Sequence, residues 1–222
     1  MKPAFDTITF DCYGTLIDWE GGIAGAFLAA AAEDGMELRR EEVLREYARI
    51  EPVVEGERYR LYRDVLTETA SRVADALGWR VSPDRATFLA ESIGDWKPFP
   101  DTNAALERLR ASGLTLGILS NVDDELLAAT RRHFSVPFEI LITAEQVRSY
   151  KPAPAHFLAA RERIGAARWL HAAQSNFHDI VPTNKMGIPN AWVNRRGEVA
   201  LPGGTPAYEV RDLAGLAKLL AE

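Results

Sequence analysis

The sequence predicts an α/β fold, a doubly wound parallel sheet with a helical segment inserted after its first strand. Three observations carry this. From residue 98 onward, short apolar or β-branched runs alternate with helical patterns. Residues 17–97 break that alternation and contain only helical signals. Polar residues follow directly after the apolar runs, where an open α/β sheet binds its ligands.

The first strand is TITF, residues 7–10, ending at Asp11 and a Tyr13–Gly14 turn. The second, residues 114–119, ends at Ser120–Asn121, and the third covers residues 138–142. A weaker fourth spans residues 170–174, and a fifth, residues 191–193, is followed by Asn194–Arg195–Arg196–Gly197. Between them, Asp101 or Thr102 caps a helix that runs to Arg110, and Gly113 ends it. Asp123 and Asp124 put negative charge in the first turn of the next helix, and Arg131 and Arg132 put positive charge in its last, complementing the dipole. Pro154 opens a helix that continues to Ile164 before Gly165. A short helix is expected over residues 179–186, with Pro182 tolerated only in its first turn, and a final one over residues 210–220. Strands this continuously apolar belong to a sheet covered on both faces.

In the inserted segment, helical patterns fall at residues 23–32, 41–51, 58–77 and 83–93. Gly35, Gly56 and Gly78 punctuate them, and Ser82–Pro83 reads as a cap followed by a first-turn proline. Gly21–Gly22 and Pro98–Phe99–Pro100 flank the segment as hinges would. The expected organisation is a core of residues 1–16 and 98–222, with residues 17–97 as a helical domain.

A chain of 222 residues buries a sizeable core without staples. Its net charge of −6, with the signs well mixed, argues against a nucleic-acid partner. A single cysteine, Cys12, allows no intrachain disulfide and fits a reducing, cytoplasmic setting. The N-terminus lacks the apolar core of a secretion signal, and the most apolar helical stretch, residues 23–32, is too short to span a bilayer. No membrane partner is expected.

Taken singly, the polar residues at the strand ends are unremarkable in type. Asp11 can cap a turn, Ser120–Asn121 can cap a helix, Lys151 can be solvated, and Ser175, Asn176 and Asp179 can be turn residues. Their recurrence at successive strand ends, beneath one helical segment, points to an enzyme site.

Four stretches in order carry a family resemblance: FDCYGTL (residues 10–16), LSN (119–121), YKPAP (150–154) and QSNFHD (174–179). Together they resemble the four motifs of the haloacid dehalogenase superfamily, whose core is Rossmann-like and whose helical cap follows the first motif. Phosphatases of that superfamily carry Asp-x-Asp in the first motif, and the second Asp is the general acid. Here Tyr13 stands in its place. A carboxyl with a pKa near 4 is tunable for proton donation, whereas a phenol near 10 is a poor match at neutral pH. An alkoxide leaving group needs the proton and a halide does not. Asp-x-Tyr-Gly-Thr-Leu resembles the (S)-2-haloacid dehalogenase branch, described as metal-independent.

The resemblance implies that Asp11 attacks the halogen-bearing carbon of a small anionic substrate and forms an ester. Lys151 keeps Asp11 ionised, and Asp179 orients or activates the water that hydrolyses the ester. It further implies contacts with substrate, halide or the catalytic groups for Tyr13, Thr15, Arg45, Ser120, Asn121, Ser175 and Asn176. No cofactor or metal ligand is expected, and a homodimer is. Three departures bear on substrate identity. The family's halide-receiving Arg–Gln pair is absent, the nearest residues being Arg45, followed by Glu46, and Arg49. Phe157 replaces a tyrosine, and His178 replaces a tryptophan before Asp179.

Other readings compete. A Mg²⁺-dependent phosphatase would ligate the cation through Asp11, the Tyr13 carbonyl and Asp179. A thiol enzyme would use Cys12 with His171 or His178, but on a strand next to Asp11 its side chain points to the opposite face. A nonenzymatic dinucleotide-binding or interaction module is the third. Gly21–Gly25 is glycine-rich, yet it matches neither G-x-G-x-x-G nor a P-loop.

Overall fold

A computed structural model describes residues 4–221. Six strands, β1 (Thr7–Phe10), β2 (Thr115–Ser120), β3 (Ile140–Thr143), β4 (Trp169–Ala173), β5 (Asn190–Val193) and β6 (Tyr208–Val210), form one sheet in the order β3-β2-β1-β4-β5-β6. Every pairing is parallel. The chain winds outward from β1 in one direction and then in the other, so β1 is the point where strand order reverses. Phe10 is level with Ile118 on one side and Ala172 on the other. Asp11 therefore emerges in the crevice between the two windings, where such sheets bind ligands.

Helices α1 (Trp19–Glu33), α2 (Arg40–Glu57), α3 (Tyr62–Ala76) and α4 (Phe88–Ser92) lie between β1 and the core helix α5 (Thr102–Ala111). Further helices are α6 (Asp124–Thr130), α7 (Ala144–Val147), α8 (Ala155–Ile164), α9 (Val181–Lys185) and α10 (Leu213–Ala221). Isolated bridges of Ile17 to Tyr13 and to Pro98 bring the two ends of the inserted segment together. Phe10, Leu16, Ile17, Phe27, Leu66 and Leu89 are fully buried in one cluster shared by sheet and inserted helices. Each such side chain contributes about 1.5–3 kcal/mol through burial.

Several boundaries differ from the sequence reading. α2 continues through Pro52, where the sequence suggested a stop. Proline has no N–H to give the Ala48 carbonyl, but burial of Val43, Tyr47, Ile50 and Val54 on one face keeps the helix going. The expected helix over residues 179–186 is split into a π-turn, Asn176–Ile180, and α9, which has Pro182 in its first turn. The expected last helix begins later, because residues 208–210 form β6 and Asp212 Oδ1 accepts from Gly215 N at 2.7 Å. β6 is short and only half buried, so it carries no apolar run to announce it. β3 starts at Ile140 rather than residue 138: Glu139 N donates to Leu116 O, but Leu116 N is taken by the Glu139 carboxylate, which also accepts from Arg110, so the ladder goes no further.

Candidate active site

The chain turns sharply after Asp11. Gly14 takes φ +92°, and a Cβ there would lie 2.9 Å from the Trp19 indole nitrogen. Leu16 N and Ile17 N both donate to Cys12 O, closing the turn. That closure brings Thr15 back to Asp11, and its hydroxyl donates to Oδ2 at 2.9 Å. The same hydroxyl accepts from Gln174 N at 2.9 Å, tying the turn to the end of β4.

Lys151 is 1% exposed. Its three N–H donors are all used: Asp11 Oδ1 at 2.8 Å, Asp179 Oδ1 at 2.7 Å and Leu119 O at 3.0 Å. Burial alone would lower its pKa, but the facing Asp11 and Asp179 carboxylates outweigh it and raise the value well above the ordinary lysine range. Asn121 aims this lysine. Its amide donates to Lys151 O at 3.0 Å and accepts from Lys151 N at 2.7 Å. Both polar ends of Asn121 thus bond the backbone of Lys151, and its second N–H remains at the cavity.

A second chain of hydrogen bonds runs behind Asp179. His171 Nε2 lies 3.0 Å from Asp179 Oδ1, and His171 Nδ1 lies 2.8 Å from the Thr9 hydroxyl, which accepts from Trp169 Nε1 at 2.8 Å. An Nε2 hydrogen on His171 points at Asp179, so the ring donates to that carboxylate. Burial pushes the Asp179 carboxyl up, but Lys151 and His171 more than reverse this and hold it well below the usual carboxylate range. Asp179 Oδ2 and Ser120 Oγ are among the buried polar atoms that have no protein partner. Both residues line a cavity of about 490 Å³.

The cavity brings most of the expected residues together. Asp11, Lys151 and Asp179 line it, with Tyr13, Ser120, Asn121, Ser175 and Asn176. Thr15 is buried beneath, bonded to Asp11. The Tyr13 hydroxyl is turned away and bonds the Thr130 hydroxyl at 2.7 Å, while its ring stands edge-on to Trp96. Ser175 caps the π-turn, accepting from His178 N at 3.1 Å. Asn176 holds the loop after β5, donating to Gly204 O at 2.8 Å and accepting from Leu201 N at 3.1 Å. Arg45 is not brought to the site: its side chain is 65% exposed and pairs with Glu46 at 3.3 Å. Arg49 pairs with Glu46 as well. Phe157 is fully buried edge-on to His171 and is absent from the cavity wall. Cys12 is buried, and burial beside Asp11 pushes its thiol up.

Sequence reasoning missed two groups. Thr9, Trp169 and His171 were legible as positions alternating on one face of adjacent strands, with Thr9 level with His171. Glu51 and Glu55 line the cavity from α2 with Tyr47. Tyr47, Glu51 and Glu55 repeat every four residues along one helical face, and the apparent stop at Pro52 hid Glu55 from it. Among the described residues, no group of three His, Cys, Asp or Glu side chains has a metal-site arrangement, and no helix is long and apolar enough to cross a membrane.

Residues 5–172 match a family model described as haloacid dehalogenase-like hydrolase. The chain is 31% identical to (S)-2-haloacid dehalogenase H-109 of Pseudomonas putida, over 100% of both chains. It is 28% identical to haloacetate dehalogenase H-2 of Moraxella sp. (strain B), over 97% of this chain and 98% of that one. It shares its fold with the L-2-haloacid dehalogenase of Xanthobacter autotrophicus solved with chloropropionic acid covalently bound, at a TM-score of 0.81 and 20% identity, over 97% of this chain and 98% of that one.

Proposed function

The chain belongs to the haloacid dehalogenase-like hydrolase family, and from this we propose that it hydrolyses a small 2-haloalkanoic acid to the 2-hydroxy acid through an ester on Asp11. The observation that carries the reading is the pairing of a fixed carboxylate with a missing acid. Asp11 is held by Thr15 and Lys151 at one cavity wall, while Tyr13 spends its hydroxyl on Thr130. Burial pushes that phenol further up, away from proton donation. A nucleophile without a proton donor beside it suits a leaving group that departs as a stable anion.

In this reading Asp11 attacks the carbon in line with the carbon–halogen bond, an ester bond forms, and the bonding pair leaves with the halide. Ser120 Oγ, buried and unpartnered, donates to the substrate carboxylate. Lys151 has no N–H left for substrate, so its part is to hold Asp11 and Asp179 apart and compensate their charge. Water then adds to the ester carbonyl, the acyl–oxygen bond breaks, and Asp11 is restored. Asp179, held anionic, orients that water through its free Oδ2. Thr15, Asn121, Ser175 and Asn176 position these groups. No cofactor or metal takes part, and residues 17–97 act as a cap over the core. A homodimer and a cytoplasmic setting belong to the same reading, the latter supported by the single buried thiol.

A Mg²⁺-dependent phosphatase is the alternative, and it lacks an acid beside Asp11. The test is halide release from 2-fluoro-, 2-chloro- and 2-bromo-acetate and -propionate, with and without EDTA, for the wild type and Asp11→Asn. We expect EDTA-insensitive release and its loss in the variant. Turnover of phosphate esters with Mg²⁺ but no halide release, or full activity in Asp11→Asn, refutes the assignment.

A further inference from the structure

In-line attack by Asp11 drives the halide away from the sheet, toward the wall contributed by the inserted helices. That wall is α2, which presents Tyr47, Ala48, Glu51, Pro52 and Glu55 to the cavity. It offers no cation, because Arg45 and Arg49 point outward and pair with Glu46. Arg196, at the cavity, is paired with Glu20 and Glu198. Two ionised carboxylates would repel a departing anion. A proton kept on one of them turns the same wall into a donor.

We propose that Glu55, protonated beside Glu51, receives the departing halide by donating a hydrogen bond to it, in place of a cationic receptor. The inference rests on the dehalogenase reading and deepens it. The step balances without a further reactant: the Asp11–carbon bond forms, the carbon–halogen bond breaks with its electron pair going to the halide, and Glu55 keeps its proton while donating. Fluoride, the halide that accepts hydrogen bonds most strongly, depends on this donor most.

The surroundings of Glu55 support the protonated state. Tyr47 and Glu51 face it from its own helix, Tyr62 from α3, and Tyr150 and Lys151 from the core. Glu51 is anchored, accepting from the Tyr62 hydroxyl at 3.1 Å, which leaves Glu55 free of any hydrogen-bond partner among the described residues. Burial first, and Glu51 second, push Glu55 up to about 8, against a smaller downward pull from Lys151. Burial raises Glu51 as well. The unpartnered Ser120 hydroxyl and Asp179 Oδ2 in the same cavity mark it as a place built for a polar ligand.

The experiment is the pH profile of halide release from fluoroacetate and bromoacetate for the wild type, Glu55→Gln and Glu51→Gln. One proton lost near pH 8 makes wild-type kcat fall about tenfold between pH 7 and 9, more steeply for fluoroacetate. Glu55→Gln, an isosteric donor that does not titrate, is expected to flatten that limb, and Glu51→Gln to move it to lower pH. A merely structural role for Glu55 would leave the limb in place. A second readout needs no turnover: bromide quenching of Trp19, which lines the cavity, weakens from pH 7 to 9 in the wild type and not in Glu55→Gln. Halide release with an unchanged alkaline limb in Glu55→Gln overturns this proposal alone. No halide release from any haloacid by the wild type overturns the dehalogenase reading and this proposal with it.

Discussion

Replacing Lys151 with methionine keeps most of the side-chain volume and removes the charge on which the site's two carboxylates converge. Both Oδ1 atoms bond the same Nζ, at 2.8 and 2.7 Å, so they lie no more than about 5.5 Å apart. The lysine and Asp179 side chains are 2% and 1% exposed, and that of Asp11 is 12% exposed. Without the ammonium, two like charges at that distance repel by about 3 kcal/mol at an effective dielectric near 20. Removing one partner of a buried ion pair costs about 3–5 kcal/mol by a separate route, and the two figures agree. Repulsion of this size makes the pair hold a shared proton more tightly than free carboxylates do. The sign of the pH dependence then reverses. In the wild type, Asp179 sits below its unfolded pKa in the folded state, so its stabilisation is present above about pH 4 and is lost as pH falls through the folded value. In Lys151→Met, the folded pair binds its proton more tightly than the unfolded chain does, so stability falls as pH rises through and above the ordinary carboxylate range. Urea unfolding at closely spaced pH values measures both slopes, and halide release should drop on the order of 10²–10³-fold. A variant within about 1 kcal/mol of the wild type at pH 7, or one that keeps the wild-type slope, would show that the ammonium is not what holds the two carboxylates.

Two further substitutions separate the site from its surroundings. Arg45→Ala should leave halide release within about twofold and stability within about 0.5 kcal/mol, because an exposed pair with Glu46 contributes little; a large loss of activity would return Arg45 to the site. Cys12→Ala should retain halide release while unfolding about 1 kcal/mol more easily, since the thiol fills buried space; complete inactivation of a folded variant would revive the thiol mechanism.

Much of the fold was legible because its signals are local. TITF, LTLGIL and AWV are runs that bury both faces, and Gly113 and Gly165 end helices through backbone freedom that other residues lack. Asp11, Ser120–Asn121 and Asp179 were legible as polar residues at strand ends. Element limits that depend on partners were not. α2 outlasts Pro52 through tertiary burial, and β6 exists because β5 offers it an edge.

By itself, then, the chain determined the alternation of strands and helices, the position of the inserted segment, the placement of Asp11 at the first strand's end, and the absence of an acid at position 13. These follow from side-chain type and period, which act over a few residues. Only the tertiary structure decided that Lys151 spends every N–H on the two carboxylates and Leu119 O, that Asn121 bonds the backbone of Lys151, and that Arg45 faces solvent. The same holds for the Trp169–Thr9–His171–Asp179 chain and for Glu55 at the cavity. Hydrogen bonds and charge interactions act over a few ångströms in space, and residues 140 positions apart meet only when the sheet has assembled.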